Sequence, residues 1–247
     1  MRNLLFLVVL VFASCKQKET SLTAQQIIDQ SILANGADLV ANAQIEFDFR
    51  DNAYTAIRAN GIFKLIKSFK NNNFDLISDV ISNTGFRRTL NGNLIHIPDS
   101  IATEYASSVN SVHYFSVLPY GLNDKAVKKK LLGTSSINSK EYYKVEISFT
   151  EDGGGEDFED IFIYWINKTS FKIDYLAYSF HVNGGGKRFR EAINQRVVNN
   201  IHFADYNNFK LKNASTKLEN LDQAFLNSQL IKVSEVRLEN VKVIPLN

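Results

Sequence analysis

Residues 158–182 read FEDIFIYWINKTSFKIDYLAYSFHV. Apolar side chains occupy both alternating sets of positions over 158–166, and the pattern returns over 171–182 after a short polar turn. Successive side chains of a β-strand point to opposite faces of its sheet, so a strand that is apolar at both sets needs a covering layer on each face. We therefore expect two adjacent central strands here, in a sheet that is covered on both sides.

The chain on either side of this stretch mostly shows the period of two that is typical of β-strands. Ile45 and Phe47 alternate with charged residues, which indicates a half-buried strand. Gly61 is predicted to form a bulge, and Asn91-Gly92 to form the tight turn of a hairpin. Further strands are predicted over 54–69, 74–82, 86–90, 93–97, 141–149, 187–198, 201–205 and 229–244.

Four segments show helical spacing instead. In the first, Thr23 and Gln26 have the spacing of a capping box, and Gly36 stands where a helix ends. The second begins near Asp99 and carries one apolar stripe. We predict helices over 23–35, 99–115, 124–132 and 218–227.

Strands outnumber helices, and the helices do not alternate with the strands, which disfavours βαβ units and a TIM barrel. The predicted fold is mainly β (α+β): a curved antiparallel half-barrel sheet with one or two helices covering its concave face. Residues 23–247 should form a single domain of this kind.

Two interiors are compatible with such a sheet. A helix over 100–116 can fill it with Val112, Phe115 and Leu118, and the close packing of proteins favours this filled core. Alternatively, the space between sheet and helix is left open for an acyl chain. The candidate lining residues of an open interior are Phe47, Phe63, Phe115, Tyr164, Tyr175 and Tyr178.

The N-terminus predicts an export signal. Arg2 is followed by an apolar run over 4–12 and then by Ala13-Ser14-Cys15. The run is shorter than the roughly 20 residues that span a bilayer as a helix. It resembles a bacterial lipoprotein signal, with residues 1–14 removed, Cys15 diacylated and 15–22 acting as a tether. The alternative is an ordinary signal peptide with an incidental cysteine.

Composition narrows the classes of function. The 247 residues carry 28 Lys and Arg against 26 Asp and Glu, a net charge of +2, which predicts no nucleic-acid partner. Cys15 is the single cysteine, so no internal disulfide can form. The four histidines are scattered without metal-ligand spacing, and no catalytic motif is present. We predict no metal, no cofactor and no catalytic residue, and the sequence leaves the oligomeric state undetermined.

Two charged loops with three glycines each, at 151–157 and 184–190, are predicted to meet at one rim of the sheet. Solvated hairpin tips are the simplest interpretation, and a cation or anion site is the alternative. Arg188, Arg190 and Arg196 are predicted to share a solvent-exposed strand face; on a concave face they would need Asp160 or Asp174 as partners. The candidate rim residues are Asp157, Asp160, Lys187 and Arg190.

Several segments resemble a family of uncharacterised lipoproteins from Bacteroidota. They are VNSVHYF at 109–115, LPY at 118–120, GGG at 153–155, YWIN at 164–167 and DYLAY at 174–178. The resemblance covers most of 24–212. In architecture such proteins are similar to the LolA/LolB lipoprotein carriers, whose half-open barrels shield acyl chains beneath helices. This similarity implies no catalytic residue, because fold alone does not determine activity.

Three hypotheses follow. The first is a binding module that holds a lipid or lipoprotein acyl chain, the second an envelope scaffold or interaction protein, and the third a hydrolase or lyase that uses the rim residues. The predicted location is the outer membrane, with a lipid anchor and a periplasm-facing domain. Residue 16 is Lys and not Asp, and 16–20 lack an acidic cluster. Surface exposure is the alternative orientation.

The lipid anchor is directly testable. Cells grown with radiolabelled palmitate should label the wild-type protein, and Cys15→Ser should abolish the label because the acylated thiol is lost. An unlabelled wild type, or a labelled Cys15→Ser protein, would contradict the anchor.

Overall fold

The computed structural model describes residues 21–152, 158–181, 184–213 and 215–246. Within these ranges the strands form two seven-stranded sheets, in which the paired strands are antiparallel. The predicted fold class, mainly β and antiparallel with few helices, is confirmed.

The first sheet consists of β1 Ala43–Phe49, β2 Asn52–Ala59, β3 Ile62–Lys70, β4 Leu76–Ser82, β5 Gly85–Leu90, β6 Asn93–Ile95 and β14 Glu239–Pro245. The second consists of β7 Val127–Ile137, β8 Lys140–Phe149, β9 Phe162–Asn167, β10 Ile173–Phe180, β11 Gly186–Val198, β12 Ile201–Leu211 and β13 Leu230–Val236. The strand order is β14-β1-β2-β3-β4-β5-β6 in the first sheet and β13-β12-β11-β10-β9-β8-β7 in the second. The helices are α1 Ala24–Ala34, α2 Asp99–Ser116 and α3 Leu221–Leu226, with 3-10 helices at Ala37–Asn42 and Leu218–Asn220.

The predicted start of α1 is confirmed in detail. The Thr23 side chain accepts from the Gln26 backbone N–H, and the Gln26 side chain accepts from the Thr23 backbone N–H. This reciprocal pair satisfies two donors that a helix N-terminus otherwise leaves free. The predicted helices at 99–115 and 218–227 correspond to α2 and to the 3-10 helix followed by α3.

The prediction of one long strand over 54–69 was wrong. β2 and β3 are two strands of a hairpin, in which Ala59 pairs with Ile62 across the turn Asn60-Gly61. Both turn residues have positive φ, 52° and 78°. An Asn-Gly turn of this kind suits the twist of a hairpin, and the apolar alternation that continues across it concealed the turn.

The helix predicted over 124–132 was also wrong, because this segment enters β7. Lys128 and Lys130 are exposed while Val127 and Lys129 are half-buried, which is the alternation of a strand. β7 lies at the edge of the second sheet. Lysines are common on edge strands because their charge discourages pairing with another chain.

The single strand predicted over 229–244 is in fact two strands that lie in different sheets. β13 pairs with β12 of the second sheet and β14 with β1 of the first. The Leu238 N–H between them donates to Asp205 Oδ1 (3.0 Å), and Arg196 Nη2 donates to the Leu238 carbonyl (2.5 Å). Arg196 also pairs with Asp205 at 3.1 Å. These buried or half-buried contacts fix the crossover that joins the sheets.

The core covers both faces of the second sheet, as residues 158–182 predicted. All six residues of β9 are buried. On one face Tyr164 and Ile166 pack in a cluster with Ile27 and Ile28 of α1. On the other, Ile163, Trp165 and Tyr175 pack with Leu221 and Ala224 of α3.

A buried polar contact holds α3 on its face of the sheet. Trp165 Nε1 donates to Asp222 Oδ2 (3.1 Å), and Lys144 Nζ lies 3.1 Å from the same oxygen. Asp222 is fully buried. Its pairing with Lys144 avoids the large cost of an unpaired buried carboxylate.

Gly36 allows the turn after α1 to approach β12. Its φ is +59°, and a Cβ built on it would lie 1.9 Å from the Asn200 carbonyl oxygen.

Gly36→Ala should therefore lower the free energy of unfolding by at least about 3 kcal/mol, measured by urea denaturation. Gly61→Ala is the matched control: its φ is also positive but the added Cβ meets no atom within 4 Å, so about 1 kcal/mol is expected. Equal losses in the two variants would contradict the steric argument.

Candidate functional site

A cavity of about 960 Å³ is lined by both sheets, by α2 and by the segment that follows α2. Val112 and Phe115 of α2 form part of its wall. Leu118 lies in the buried core, as the filled interior predicted, whereas Val112 and Phe115 pack against the core and also line the cavity, so the interior is open in part. The volume lies within the range of ligand-binding pockets.

One part of the wall is aromatic. The ring centroids of Phe115 and Tyr178 are 5.2 Å apart, and Phe162 lies 6.1 Å from Phe115 and 5.7 Å from Tyr178. Phe149 continues this surface, 5.9 Å from Phe162. All four rings line the cavity. This arrangement presents a continuous apolar surface to whatever enters.

Arg190 of β11 lies within this aromatic wall and is only 9% exposed. Its guanidinium carbon lies 4.0 Å from the Phe115 ring centroid, and Nη2 donates to the Tyr178 hydroxyl at 3.0 Å. Nε is buried and has no hydrogen-bond partner. The side chain thus has cation–π and neutral contacts while one of its donors stays unsatisfied.

Arg58 of β2 brings a second guanidinium to the cavity from the other sheet, and it is 8% exposed. Its guanidinium carbon lies 5.1 Å from the Tyr120 ring centroid, and Nη1 is buried without a hydrogen-bond partner. Burial lowers the pKa of Arg58, and the nearby Tyr120 hydroxyl opposes this effect. A lowered pKa is the expected mark of a cation that lacks a strong counter-charge.

Two carboxylates also line the cavity, Asp124 and Asp160. Asp124 is exposed to solvent. Asp160 Oδ1 lies 3.3 Å from His181 Nδ1. Across the described residues no ion pair joins either carboxylate to Arg58 or Arg190.

Three of the six predicted lining residues are in the cavity wall: Phe63, Phe115 and Tyr178. The other three lie elsewhere. Phe47 stacks on Tyr54 (5.3 Å) in the core of the first sheet. The Tyr164 hydroxyl lies 2.9 Å from that of Tyr114, and Tyr175 faces α3 on the opposite side of the second sheet.

The predicted rim residues separate in a similar way. Asp160 and Arg190 line the cavity, whereas Lys187 Nζ donates to the Thr216 carbonyl at 2.7 Å. Asp157, the glycines at 153–155 and Cys15 lie outside the described residues.

The prediction of a solvent-exposed arginine face was wrong. Arg188 and Arg190 do share one face of β11, but that face forms part of the cavity wall. A break in register between Ile193 and Arg196 separates Arg196 from them, and its partner is Asp205 instead of Asp160 or Asp174. Arginines on a strand are usually exposed, and only the second sheet made this face an inner one.

Arg58 was missed by sequence analysis. A signal for it exists, because Tyr54, Ala56 and Arg58 occupy the same face of β2 and all three are buried. A charged residue in phase with the apolar residues of a strand indicates a buried charge. Tyr206, which also lines the cavity, had no comparable signal.

His113 attaches α2, and with it one wall of the cavity, to the first sheet. Its Nε2 donates to the Ile66 carbonyl (3.1 Å), and its ring lies 5.7 Å from Phe47 and 5.5 Å from Tyr54. Nδ1 is buried without a partner. Burial, together with the charge of Arg58, lowers the pKa of His113 to about 4 against the effect of the Ile66 hydrogen bond.

Comparison with known proteins identifies a family. A family profile matches residues 2–239 of the chain. The chain belongs to DUF6503, a family of unknown function. No curated protein matches this DUF6503 chain in sequence.

Solved structures of similar fold include three of low sequence identity. A LolA superfamily protein from Nitrosomonas europaea is 12% identical, with a TM-score of 0.46 over 92% of this chain and 94% of that chain. A candidate outer membrane lipoprotein-sorting protein domain from Vibrio parahaemolyticus is 8% identical, with a TM-score of 0.46 over 89% of this chain and 93% of that chain. A DUF1329 family protein from Desulfovibrio piger is 8% identical, with a TM-score of 0.42 over 90% of this chain and 93% of that chain. Similarity at this level carries no functional conclusion, so the cavity itself has to supply the argument.

Two further findings concern the residues that the structure describes, 21–152, 158–181, 184–213 and 215–246. None of the helices there is long and apolar enough to cross a bilayer. In the same ranges no group of three or more His, Cys, Asp or Glu side chains is placed to hold a metal ion.

The buried His113 makes stability depend on pH. Its pKa is about 4 in the folded protein and about 6.5 when unfolded, so the unfolded chain binds more protons between these values. Stability due to this group should fall as the pH drops from about 7 to 4, by about 3 kcal/mol, measured by urea denaturation. His113→Gln should remove that part of the pH dependence. His202, whose pKa burial also lowers to about 4, leaves a residual dependence of the same sign. An unchanged pH profile in His113→Gln would contradict the assignment.

Proposed function

We propose that this protein is a membrane-anchored envelope lipoprotein that binds an apolar ligand, such as a lipid or a lipoprotein acyl chain, without catalysing a reaction. The observation that carries the proposal is the cavity of about 960 Å³ with its wall of Phe115, Phe149, Phe162 and Tyr178. An acyl chain that leaves water for such a surface gains about 0.8 kcal/mol per buried CH₂ group.

The anchor is part of the same proposal. Acylation of Cys15, which the N-terminal sequence indicates, would attach the chain to the outer membrane with the domain facing the periplasm. A cavity tethered beside a bilayer meets its lipid ligands at a high effective concentration. Anchor and cavity therefore support one function.

Native mass spectrometry tests the proposal. The full-length chain with Cys15→Ser, which removes the acylation site, should retain a lipid after incubation with total membrane lipids. The retained ligand should appear as a mass added to that of the chain. A chain that stays at its apo mass throughout would overturn the proposal.

Two tryptophan variants locate the ligand. Val236 on β13 lines the cavity, whereas Val233 on the same strand lies outside the lining and is 43% exposed. Val236→Trp should remove most of the bound lipid because the indole occupies the space of the ligand, and Val233→Trp should leave it unchanged. Equal retention in both variants, with native thermal melting, would place the ligand elsewhere.

A further inference from the structure

Three of the half-buried cations among the described residues have a carboxylate partner that is itself buried. Arg88 contacts Asp79 at 2.5 Å, Lys144 contacts Asp222 at 3.1 Å and Arg196 contacts Asp205 at 3.1 Å. Such pairing is expected, because a buried charge without a counter-charge costs several kcal/mol.

Arg58 and Arg190 depart from this pattern, and both do so in the wall of the same cavity. Among the residues that the structure describes, neither has an ion pair. Their contacts are with the aromatic side chains of Phe115, Tyr120 and Tyr178. Cation–π contacts offset part of the cost of burial, but they leave the N–H donors in the plane of the guanidinium unused.

The unused donors are specific atoms: Nε of Arg190 and Nη1 of Arg58. Both atoms are N–H donors, so only an acceptor can satisfy them. Buried polar atoms are rarely left unsatisfied in folded proteins. Two such donors on residues that line one cavity indicate that a ligand with an acceptor group completes the hydrogen bonding there.

The charged residues of the cavity lining predict the charge of that ligand. Arg50 and Arg188 join Arg58 and Arg190, while Asp124 and Asp160 are the acidic lining residues. Arg50 and Asp124 are both exposed to solvent, which leaves Arg58, Arg188 and Arg190 against the one carboxylate of Asp160. This excess of positive charge favours an anion.

We propose that the ligand is an acidic lipid, whose acyl chain lies against the aromatic wall and whose carboxylate or phosphate head group is bound by the unpaired guanidinium groups of Arg58 and Arg190. This inference rests on the proposed function and specifies the chemistry of the ligand. Guanidinium groups bind carboxylates and phosphates through paired N–H donors, so both kinds of head group satisfy the same atoms.

Competition between amphiphiles of equal chain length tests the inference. The uncharged fluorophore 1-N-phenylnaphthylamine is bound to the full-length Cys15→Ser chain and displaced with dodecanoate, dodecyl phosphate or 1-dodecanol. The wild-type cavity should bind at least one of the two anions about tenfold or more tightly than the alcohol. The two anions compared with each other identify the head group as carboxylate or phosphate.

Arginine variants assign the effect to the named side chains. Arg190→Gln and Arg58→Gln should each lower the ratio of the affinity for the preferred anion to the affinity for 1-dodecanol about tenfold. Arg87→Gln is the matched control, because Arg87 is an exposed residue of β5 outside the cavity lining. Arg190→Lys keeps the charge and should keep a preference for the anion.

The outcomes separate the inference from the function on which it rests. Failure of the fluorophore and of all three amphiphiles to bind would overturn the proposed function. Equal affinity of anions and alcohol in the wild type, or unchanged anion preference in both glutamine variants, would overturn the acidic-lipid inference alone. If a glutamine variant fails to fold, salt is the second measurement: raising NaCl from about 50 to about 500 mM should weaken binding of the anion and not of 1-dodecanol.

Discussion

Complete burial of β9 is the constraint on which the architecture depends. Because its side chains point alternately to both faces, neither face of the second sheet can be left in water at this position. Trp165 and its bond to Asp222 fix α3 over one face. Tyr164 and Phe162 on the other face meet α1 and the side chains around the cavity. The first sheet and α2 then complete the enclosure of that face.

A cavity shared by two sheets keeps its shape only if the sheets are held together. Asp205 does this at the crossover into β14, where it accepts from Leu238 and pairs with Arg196. Gly36 does it near α1, by letting the chain approach Asn200 more closely than any other residue could. These contacts stabilise a wall that is itself unfavourable, because it contains two guanidinium groups without carboxylate partners. Under the proposed function, the folding free energy of the two sheets offsets the cost of burying Arg58 and Arg190, and a bound ligand supplies the acceptors that these side chains lack.

Much of the fold could be predicted from local pattern, since the period of two and the capping box of α1 depend on neighbours in sequence. The errors arose where local pattern is ambiguous. Asn60-Gly61 lies within an unbroken apolar alternation, and the lysines of β7 suit a solvated helix as well as an edge strand. The tail alternates continuously over 229–244, so its division between two sheets has no local signal.

The sequence by itself determined that the chain folds as antiparallel β-structure with a doubly covered central sheet, because alternation and side-chain polarity act within each strand. It also predicted Phe63, Phe115 and Tyr178 as lining residues, and all three lie in the cavity wall. Only the tertiary structure decided that the interior is open in part and that Arg58 and Arg190 belong to it. Those properties depend on which faces of two separate sheets meet, and pairing between residues as distant as Ala43 and Pro245 sets that arrangement.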